Sequence, residues 1–277
     1  MYKLLDGKEV SNYIKKEVKR EIIKLNIKPS LAVIVVGDNP ASAVYVRNKE
    51  RACAQVGIES IIYRLPADTA EVPLLSLINL LNNDPSVDGI LVQLPLPDHI
   101  DANTVLQAID PKKDVDGFTA VNTGRLWLGD YVLTPCTAMG IIELLDYYGI
   151  DIEGKNCVVV GRSNIVGKPV AALLLERNAT VTMCHSKTKN LSEFTKNADI
   201  LIVAIGRSKF ITADMVNDGA VVIDVGINRA EDGKLYGDVD FETVSEKTAA
   251  ITPVPGGIGL VTVSMLMKNT LLAAKTE

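Results

Sequence analysis

The residues from Val158 to Pro169 have the types and spacing to bind the phosphates of a nucleotide. An apolar run ends at Val160, a turn with Gly161 and Gly167 follows, and Pro169 suits the first turn of a helix. A strand, a turn and a helix in this order present backbone N–H groups to a pyrophosphate. The spacing departs from the common Gly-x-Gly-x-x-Gly. Taken alone, the turn is therefore equally consistent with a phosphate-binding site and with glycines that only relieve steric crowding.

The residues about 20 positions beyond Gly161 indicate which dinucleotide such a turn would bind. An NAD site carries Asp or Glu there, whereas this chain has Cys184-His185-Ser186-Lys187. No carboxylate stands there to repel a 2′-phosphate. Arg162 can bind that phosphate as a cation and Ser186 as a hydroxyl donor, so the sequence predicts NADP rather than NAD.

Lys49 could handle protons from the inner face of a predicted helix. A helix start at Asn39 and a stop at Gly57 predict a helix over residues 40 to 56. Tyr45 and Lys49 share one face of it with apolar residues, while charged residues take the other sides. The pattern directs Lys49 inward, although a lysine on such a stripe also commonly extends to the edge of the core.

Two further polar residues adjoin strand ends and turns. Gln93 follows the apolar run Gly89–Val92, and the carboxyl ends of parallel strands are where open α/β sheets bind ligands. Its amide would equally well cap loose backbone groups. Asp116 precedes Gly117, a pair that usually marks a turn. In a cleft, the same carboxylate could accept two parallel hydrogen bonds from an amidine-like edge.

The segment Thr252–Gly259, ahead of the last helix, suits a flat ligand. Its prolines stiffen the approach, its glycines admit a ligand close to the backbone, and the helix start offers unpaired N–H groups. The same composition also suits a stiff hinge between domains.

Strand-like runs alternate with helical patterns along the whole chain, which is typical of a parallel α/β architecture. A first α/β unit is expected to contain strands near Leu31–Val36, Ser60–Tyr63 and Gly89–Val92. A connector helix over Thr134–Tyr148 leads to a Rossmann-like unit. Its strands are expected near Cys157–Val160, Thr180–Met183, Ile200–Ala204 and Val221–Val225. A last apolar helix from Leu260 to about Ala273 would return to the first unit.

The composition excludes several classes of protein. A chain of 277 residues with 47% hydrophobic content has room for about two domains. A net charge of -5 without a dense basic block argues against nucleic acid or an anionic membrane as the main partner. No apolar run spans a bilayer and the first residues lack a signal-peptide pattern, so we expect a cytoplasmic protein. Four scattered cysteines and two histidines indicate neither a disulfide framework nor a metal site.

A series of motifs runs in order over nearly the whole chain. They are Pro29–Ile34, Val36–Ser42, Tyr45–Lys49, Val92–Pro97, Asp114–Gly117, Thr134–Thr137, Gly161–Pro169 and Pro253–Gly259. Together they resemble the bifunctional methylenetetrahydrofolate dehydrogenase/cyclohydrolase family. Several independent motifs of this length make a chance similarity very unlikely.

The resemblance implies an α/β protein with two lobes. A three-layer α/β domain for folate binding and catalysis would comprise residues 1–138 and 258–277, and a Rossmann-like NADP-binding domain residues 139–257. The implied reaction oxidises 5,10-methylenetetrahydrofolate with NADP⁺ and hydrolyses the methenyl product to 10-formyltetrahydrofolate. The family precedent also implies a homodimer and a place in one-carbon metabolism and purine biosynthesis.

The resemblance further implies a role for individual residues. Lys49 would be the catalytic acid and base, Gln93 would hold it in place, and Tyr45 would orient the folate. Asp116 would bind the pterin edge. The other implied substrate-binding residues are Val92, Leu94, Pro255, Gly256 and Gly257. The implied cofactor-binding residues are Thr137, Gly161, Arg162, Ser163, Ile165, Gly167, His185, Ser186, Ile227 and Thr262. No metal ligand is implied.

Three alternatives follow from the same residues. A catalytically silent NADP-binding regulator would not need the inward Lys49 and Tyr45. A dehydrogenase for an amino or keto acid would be expected to carry a charged clamp for the substrate carboxylate. A member of the family without cyclohydrolase activity is disfavoured because Lys49 and Gln93 are both retained.

Overall fold

The computed structural model describes residues 2–38, 40–230 and 233–275, which divide into two compact units. The six-stranded unit comprises Met1–Ser11 and Thr137–Thr262, and the three-stranded unit comprises Asn12–Cys136 and Val263–Glu277. The strands are β1 (Lys3–Leu4), β2 (Ser30–Val36), β3 (Glu59–Leu65), β4 (Gly89–Val92), β5 (Asn156–Val160), β6 (Thr180–Cys184), β7 (Ile200–Val203), β8 (Val221–Asp224), β9 (Asn228–Arg229), β10 (Leu235–Tyr236) and β11 (Ala250–Ile251). The helices are α1 (Gly7–Leu25), α2 (Pro40–Val56), α3 (Glu71–Asn82), α4 (Ala102–Gln107), α5 (Ala120–Trp127), α6 (Cys136–Tyr147), α7 (Gly167–Glu176), α8 (Leu191–Thr195), α9 (Phe241–Ser245) and α10 (Ile258–Ala273).

The three-stranded unit is built on a parallel sheet with the order β3-β2-β4. All seven residues of the central strand β2 are buried, which is why that strand reads as a continuous apolar run. The chain passes from β2 through α2 to β3, and from β3 through α3 to β4 on the other side of β2. The direction of winding therefore reverses at β2, and such a reversal opens a crevice at the carboxyl ends of β2 and β4.

The core of this unit holds α3 against one face of the sheet. Ile34 of β2, Ile90 of β4 and Ile78 of α3 are all fully buried in one cluster. Burial of each such side chain contributes about 1.5–3 kcal/mol to stability. The last helix also belongs here, because the buried Asn269 of α10 donates to the carbonyl of Val115 at 2.8 Å. The predicted return of the C-terminal helix to the first unit is confirmed.

The six-stranded unit has a parallel sheet with the order β1-β11-β8-β7-β5-β6. The chain passes from β5 through α7 to β6, and from β6 through α8 to β7 on the other side of β5. A second winding reversal therefore lies at the carboxyl ends of β5 and β7. The sequence analysis placed residues 1–11 with the catalytic domain; in the structure, β1 pairs with β11 in this sheet.

The predicted parallel α/β architecture is confirmed, with small shifts at the ends of elements. The connector helix predicted from Thr134 begins at Cys136 and ends at Tyr147. The residue predicted to start α2, Asn39, lies outside the described residues. The sequence analysis missed the antiparallel pair β9 and β10, because two-residue strands are too short to show a period.

Candidate active site

Lys49 and Gln93 meet at the crevice of the three-stranded unit. Lys49 lies half-buried on α2, and its Nζ donates to Gln93 Oε1 at 3.0 Å. Gln93 follows β4, and its Nε2 donates to the carbonyl of Leu94 at 2.7 Å. That second bond leaves the amide oxygen to accept from the ammonium group. Lys49 therefore reaches inward, as its helical face predicted, and ends on a polar partner.

Three other predicted substrate-binding residues lie on the same elements as this pair or directly next to it in sequence. Val92, the last residue of β4, is 2% exposed and packs in the core directly before Gln93. Leu94 is half-buried. Tyr45 lies one helical turn before Lys49 and is 42% exposed, so its ring lies at the surface of this unit. Tyr45 thus shares α2 with Lys49, and Val92 and Leu94 flank Gln93.

Asp116 lies in a loop that the neighbouring Asp114 holds in shape. The Asp114 carboxylate is 1% exposed and is surrounded by hydrogen-bond donors. These donors are the backbone N–H groups of Gly117, Phe118 and Thr119 and the side-chain amide of Asn122. Four donors on one carboxylate give the loop a single backbone path. The sequence analysis assigned Asp114 no role, although an aspartate three residues before a glycine is a turn signal.

The charge on Asp116 is sensitive to its surroundings. Burial raises the pKa of Asp116 to about 6, and the negative charge of Asp114 adds to this rise. The positive charge of Lys49 acts in the opposite direction and lowers the same pKa. Asp116 and Lys49 are thus electrostatically coupled, as expected of residues that share a site.

This raised pKa predicts a pH dependence of folate use. Asp116 is neutral below about pH 6 and charged above it. A carboxylate that accepts two hydrogen bonds from a pterin must be ionised, so we expect kcat/KM for the folate to fall as the pH drops through about 6. The measurement is kcat/KM from pH 5 to 8 for the native chain and for Asp116→Asn. A decline near pH 6 that persists in Asp116→Asn would assign the titration to another group.

Gly117 and Asn269 attach this loop to the rest of the unit. Gly117 has a φ of +73°, and a Cβ there would lie 2.4 Å from the carbonyl carbon of Thr134. The Asn269 amide donates to the carbonyls of both Val115 and Thr134 at 2.8 Å. The sequence analysis missed Asn269. Its only signal was one amide within a mostly apolar helix.

The glycine turn of the six-stranded unit lies at the second winding reversal. Gly161 follows β5 with a φ of +133°, and a Cβ there would lie 2.3 Å from the carbonyl oxygen of Ala204. A Cβ on Gly167 would lie 2.3 Å from the carbonyl oxygen of Gly161. Both glycines are therefore required by close backbone approaches. The interpretation that these glycines relieve steric crowding is therefore correct. Their position at the winding reversal also suits the binding of a dinucleotide.

Backbone donors at this turn fit the phosphates of a dinucleotide. Ser163 Oγ accepts from the N–H groups of Val166 and Gly167 at 3.2 and 3.3 Å, which closes the turn onto the start of α7. Residues 162–165 are exposed, and their N–H groups have no acceptor within the described part of the chain. Exposed N–H groups before a ten-residue helix can bind an anion.

Arg162 and Ser186 occupy matching places after neighbouring strands. Val160 pairs with Cys184 in the sheet, and each of the two residues stands two positions beyond its strand. Both are exposed at the same edge of the sheet. His185 lies between the end of β6 and Ser186, and its Nδ1 accepts from the N–H of Lys187 at 3.1 Å. A cation and a hydroxyl thus flank the place predicted for a 2′-phosphate.

Of the remaining predicted cofactor residues, Thr137, Ile227 and Thr262 lie near the start of α10, and Ile165 lies in the glycine turn. Thr262 Oγ1 lies 3.2 Å from Thr137 Oγ1, within hydrogen-bond distance. Ile227 is 44% exposed, and its Cδ1 would lie 3.2 Å from a Cβ on Gly259. Ile165, in the glycine turn, is 41% exposed. The six-stranded unit therefore presents two exposed isoleucines and two half-buried hydroxyl groups.

The segment Pro255–Gly257 belongs to the six-stranded unit. The N–H of Gly7 donates to the carbonyl of Gly256 at 2.9 Å. A Cβ on Gly257 would lie 2.5 Å from the carbonyl oxygen of Pro253. The segment therefore packs closely against neighbouring backbone. The Val254–Pro255 peptide bond within it is cis.

Among residues 2–38, 40–230 and 233–275, no group of three or more His, Cys, Asp or Glu side chains could hold a metal ion. Within the same ranges, no helix combines the length and the apolar character that crossing a membrane requires. The four cysteines are free and buried.

Comparison with known proteins identifies the family. Residues 5–116 match the catalytic domain of tetrahydrofolate dehydrogenase/cyclohydrolase, and residues 135–277 match the NAD(P)-binding domain of the same family. The bifunctional protein FolD of Campylobacter concisus is 58% identical over 278 residues, which cover 99% of this chain and 98% of the relative.

Two solved structures extend the similarity to the fold. The bifunctional FolD methylenetetrahydrofolate dehydrogenase/cyclohydrolase of Campylobacter jejuni is 52% identical, with a TM-score of 0.97 over 100% of this chain and 99% of the other. The Trypanosoma brucei enzyme, solved with NADP cofactor and an inhibitor, is 39% identical, with a TM-score of 0.94 over 99% of this chain and 98% of the other. This chain belongs to the tetrahydrofolate dehydrogenase/cyclohydrolase family.

Proposed function

We propose that this protein oxidises 5,10-methylenetetrahydrofolate to 5,10-methenyltetrahydrofolate with NADP⁺ and then hydrolyses that product to 10-formyltetrahydrofolate. The observation that carries this proposal is the 3.0 Å hydrogen bond from Lys49 to Gln93 in a chain that matches both domains of the family. Hydrolysis is catalysed by a positioned general acid and base, and an amine held at a strand end can take that role. NADP⁺, when bound, accepts the hydride from the one-carbon bridge.

Lys49 is the residue that we assign to proton transfer. Hydrolysis adds water to the methenyl carbon, breaks one C–N bond and releases one proton. An amine beside that carbon can take a proton from the attacking water and return one to the leaving nitrogen. Gln93 accepts from the ammonium group and so holds the amine at the end of β4.

Tyr45 and Asp116 are assigned to substrate binding. The exposed ring of Tyr45 can stack on the flat pterin, one helical turn from the amine. The Asp116 carboxylate can accept two parallel hydrogen bonds from the amino-pyrimidine edge of that pterin. Val92, Leu94 and the segment Pro255–Gly257 complete the proposed substrate-binding set.

The six-stranded unit is assigned to NADP. Gly161, Ser163, Ile165 and Gly167 form the turn proposed for the pyrophosphate, and exposed N–H groups there support it. Arg162, His185 and Ser186 are proposed to bind the 2′-phosphate. Thr137, Ile227 and Thr262 are proposed to contact the rest of the dinucleotide. The Trypanosoma brucei relative solved with NADP supports this assignment.

The cellular setting is proposed on the same basis. We place the protein in the cytoplasm as a homodimer, with the three-stranded unit as the catalytic domain and the six-stranded unit, which contains β1, as the NADP-binding domain. The product, 10-formyltetrahydrofolate, would supply formyl groups for purine biosynthesis. Light scattering of the purified chain tests the dimer.

One assay separates this proposal from its alternatives. The purified protein is given methylenetetrahydrofolate with NADP⁺ or NAD⁺, and reduced dinucleotide, methenyl and formyl products are followed by absorbance. Formation of all three products with NADP⁺ is expected. Dinucleotide binding without turnover would indicate a regulator, and methenyl accumulation without hydrolysis would indicate a monofunctional dehydrogenase.

A further inference from the structure

A buried aspartate after β10 holds the segment that follows β7. Asp238 is fully buried, and its carboxylate accepts the backbone N–H groups of Ile205, Gly206 and Arg207 at 2.7, 2.9 and 2.8 Å. The side-chain amide of Asn228 completes the set at 2.9 Å. Three consecutive N–H groups on one carboxylate give residues 205–207, here called the crevice segment, one defined backbone path.

The crevice segment lies beside the glycine turn. Ala204 follows β7 and immediately precedes the segment, and its N–H donates to the carbonyl of Val160 at 2.8 Å. Its own carbonyl oxygen would lie 2.3 Å from a Cβ on Gly161. Since β5 and β7 are neighbours at the winding reversal, the crevice segment forms one wall of the crevice there.

A second buried aspartate keeps Asp238 in place. Asp224, at the end of β8, accepts the backbone N–H groups of Asp238 and Val239 at 2.9 Å each. A Cβ on Gly237 would lie 1.7 Å from Asp224 Oδ2, so the approach of the two chain segments requires glycine. The backbone that carries Asp238 is therefore fixed independently of the crevice segment.

We propose that Asp238 is a positioning residue for dinucleotide binding, because its carboxylate sets the conformation of the wall formed by residues 205–207. The proposal rests on the proposed function, which assigns the crevice to NADP. Asp238 does not touch the dinucleotide in this role. It acts through the backbone of the crevice segment. The sequence analysis assigned no role to that segment.

Replacement of Asp238 by asparagine tests the proposal. Oδ2 accepts from Ile205 and Gly206, and Oδ1 from Arg207 and Asn228. An amide has one accepting oxygen, so in either orientation two of the four donors face its NH₂ group. We expect Asp238→Asn to raise the Kd for NADPH, measured by fluorescence titration, by about tenfold.

Hydrolysis of methenyltetrahydrofolate without any dinucleotide is the matched readout. Its proposed proton-transfer pair, Lys49 and Gln93, lies in the three-stranded unit. We therefore expect Asp238→Asn to leave the kcat of this hydrolysis within about twofold of the native value. Equal losses in NADPH binding and in this hydrolysis would overturn the positioning role in favour of a general structural one. An unchanged Kd for NADPH would also overturn it.

Two further variants keep the test decisive. Gly206 has a φ of +66° and open space where a Cβ would lie, so Gly206→Ala strains the crevice segment while both aspartates stay intact. It should weaken NADPH binding even if Asp238→Asn fails to fold, and unchanged binding in Gly206→Ala would overturn the proposal.

Asp199→Asn is the control, since the Asp199 carboxylate accepts from the N–H of Asn156 at the opposite end of the sheet. Native protein without NADPH binding or either activity would instead overturn the proposed function.

Discussion

Replacement of Lys49 by methionine is expected to lower the cyclohydrolase kcat by at least about a hundredfold, because general acid and base catalysis contributes about 10²–10⁴-fold. Methionine resembles the apolar stem of lysine but cannot exchange protons. It also removes the donor that binds Gln93 Oε1 at 3.0 Å. The measurement is the hydrolysis of methenyltetrahydrofolate, followed by the loss of its absorbance, together with the dehydrogenase rate.

Lys15 offers a matched control for this substitution. Its Nζ also donates to a glutamine, Gln55 Oε1, at 3.3 Å, but on an exposed part of the three-stranded unit. Lys15→Met should therefore retain both activities, so any loss in Lys49→Met is specific to the site. Undiminished hydrolysis in folded Lys49→Met protein would refute the assignment of Lys49 as the acid and base.

Replacement of Arg162 by alanine is expected to raise KM for NADP⁺ by about tenfold or more while KM for NAD⁺ changes little. A hydrogen bond to a charged group is worth about 1.5–3 kcal/mol, and 1.4 kcal/mol corresponds to a factor of ten. Only NADP⁺ carries the 2′-phosphate that this guanidinium would bind. The measurement is KM for both dinucleotides with methylenetetrahydrofolate held in excess.

Lys155 provides the control for Arg162. It precedes β5, whereas Arg162 follows the carboxyl end of the same strand. Lys155→Ala removes the same charge from the other edge of the sheet and should leave both KM values close to native. If Arg162→Ala raised both KM values equally, the preference for NADP would not depend on this guanidinium.

The sequence predicted the elements of the site well because their signals are local. The helix predicted over residues 40 to 56 is observed as Pro40–Val56, and the strand predicted over Gly89–Val92 is observed with the same bounds. A helical period of 3.6 residues places Lys49 on an inward face whatever surrounds it. An apolar run that stops before Gln93 marks a strand end in the same local way.

The hydrogen bonds that hold the loops of the site were not predictable in this way. Asn269 binds the carbonyl of Val115 across 154 residues of sequence, and Asp238 binds the crevice segment across 31 to 33 residues. Neither set of hydrogen bonds produces a periodic pattern in the sequence. A buried carboxylate or amide needs donors or acceptors wherever the backbone happens to pass.

The sequence by itself determined the alternation of strands and helices, the inward face of Lys49 and the glycine turn, since these depend on periods and turn residues within a few positions. Only the tertiary structure decided that Asn269 binds the carbonyl of Val115, that β1 joins the six-stranded sheet and that Asp238 holds residues 205–207. The physical reason is that local conformation follows from neighbouring residues, whereas the pairing of buried polar groups follows from the path of the whole chain.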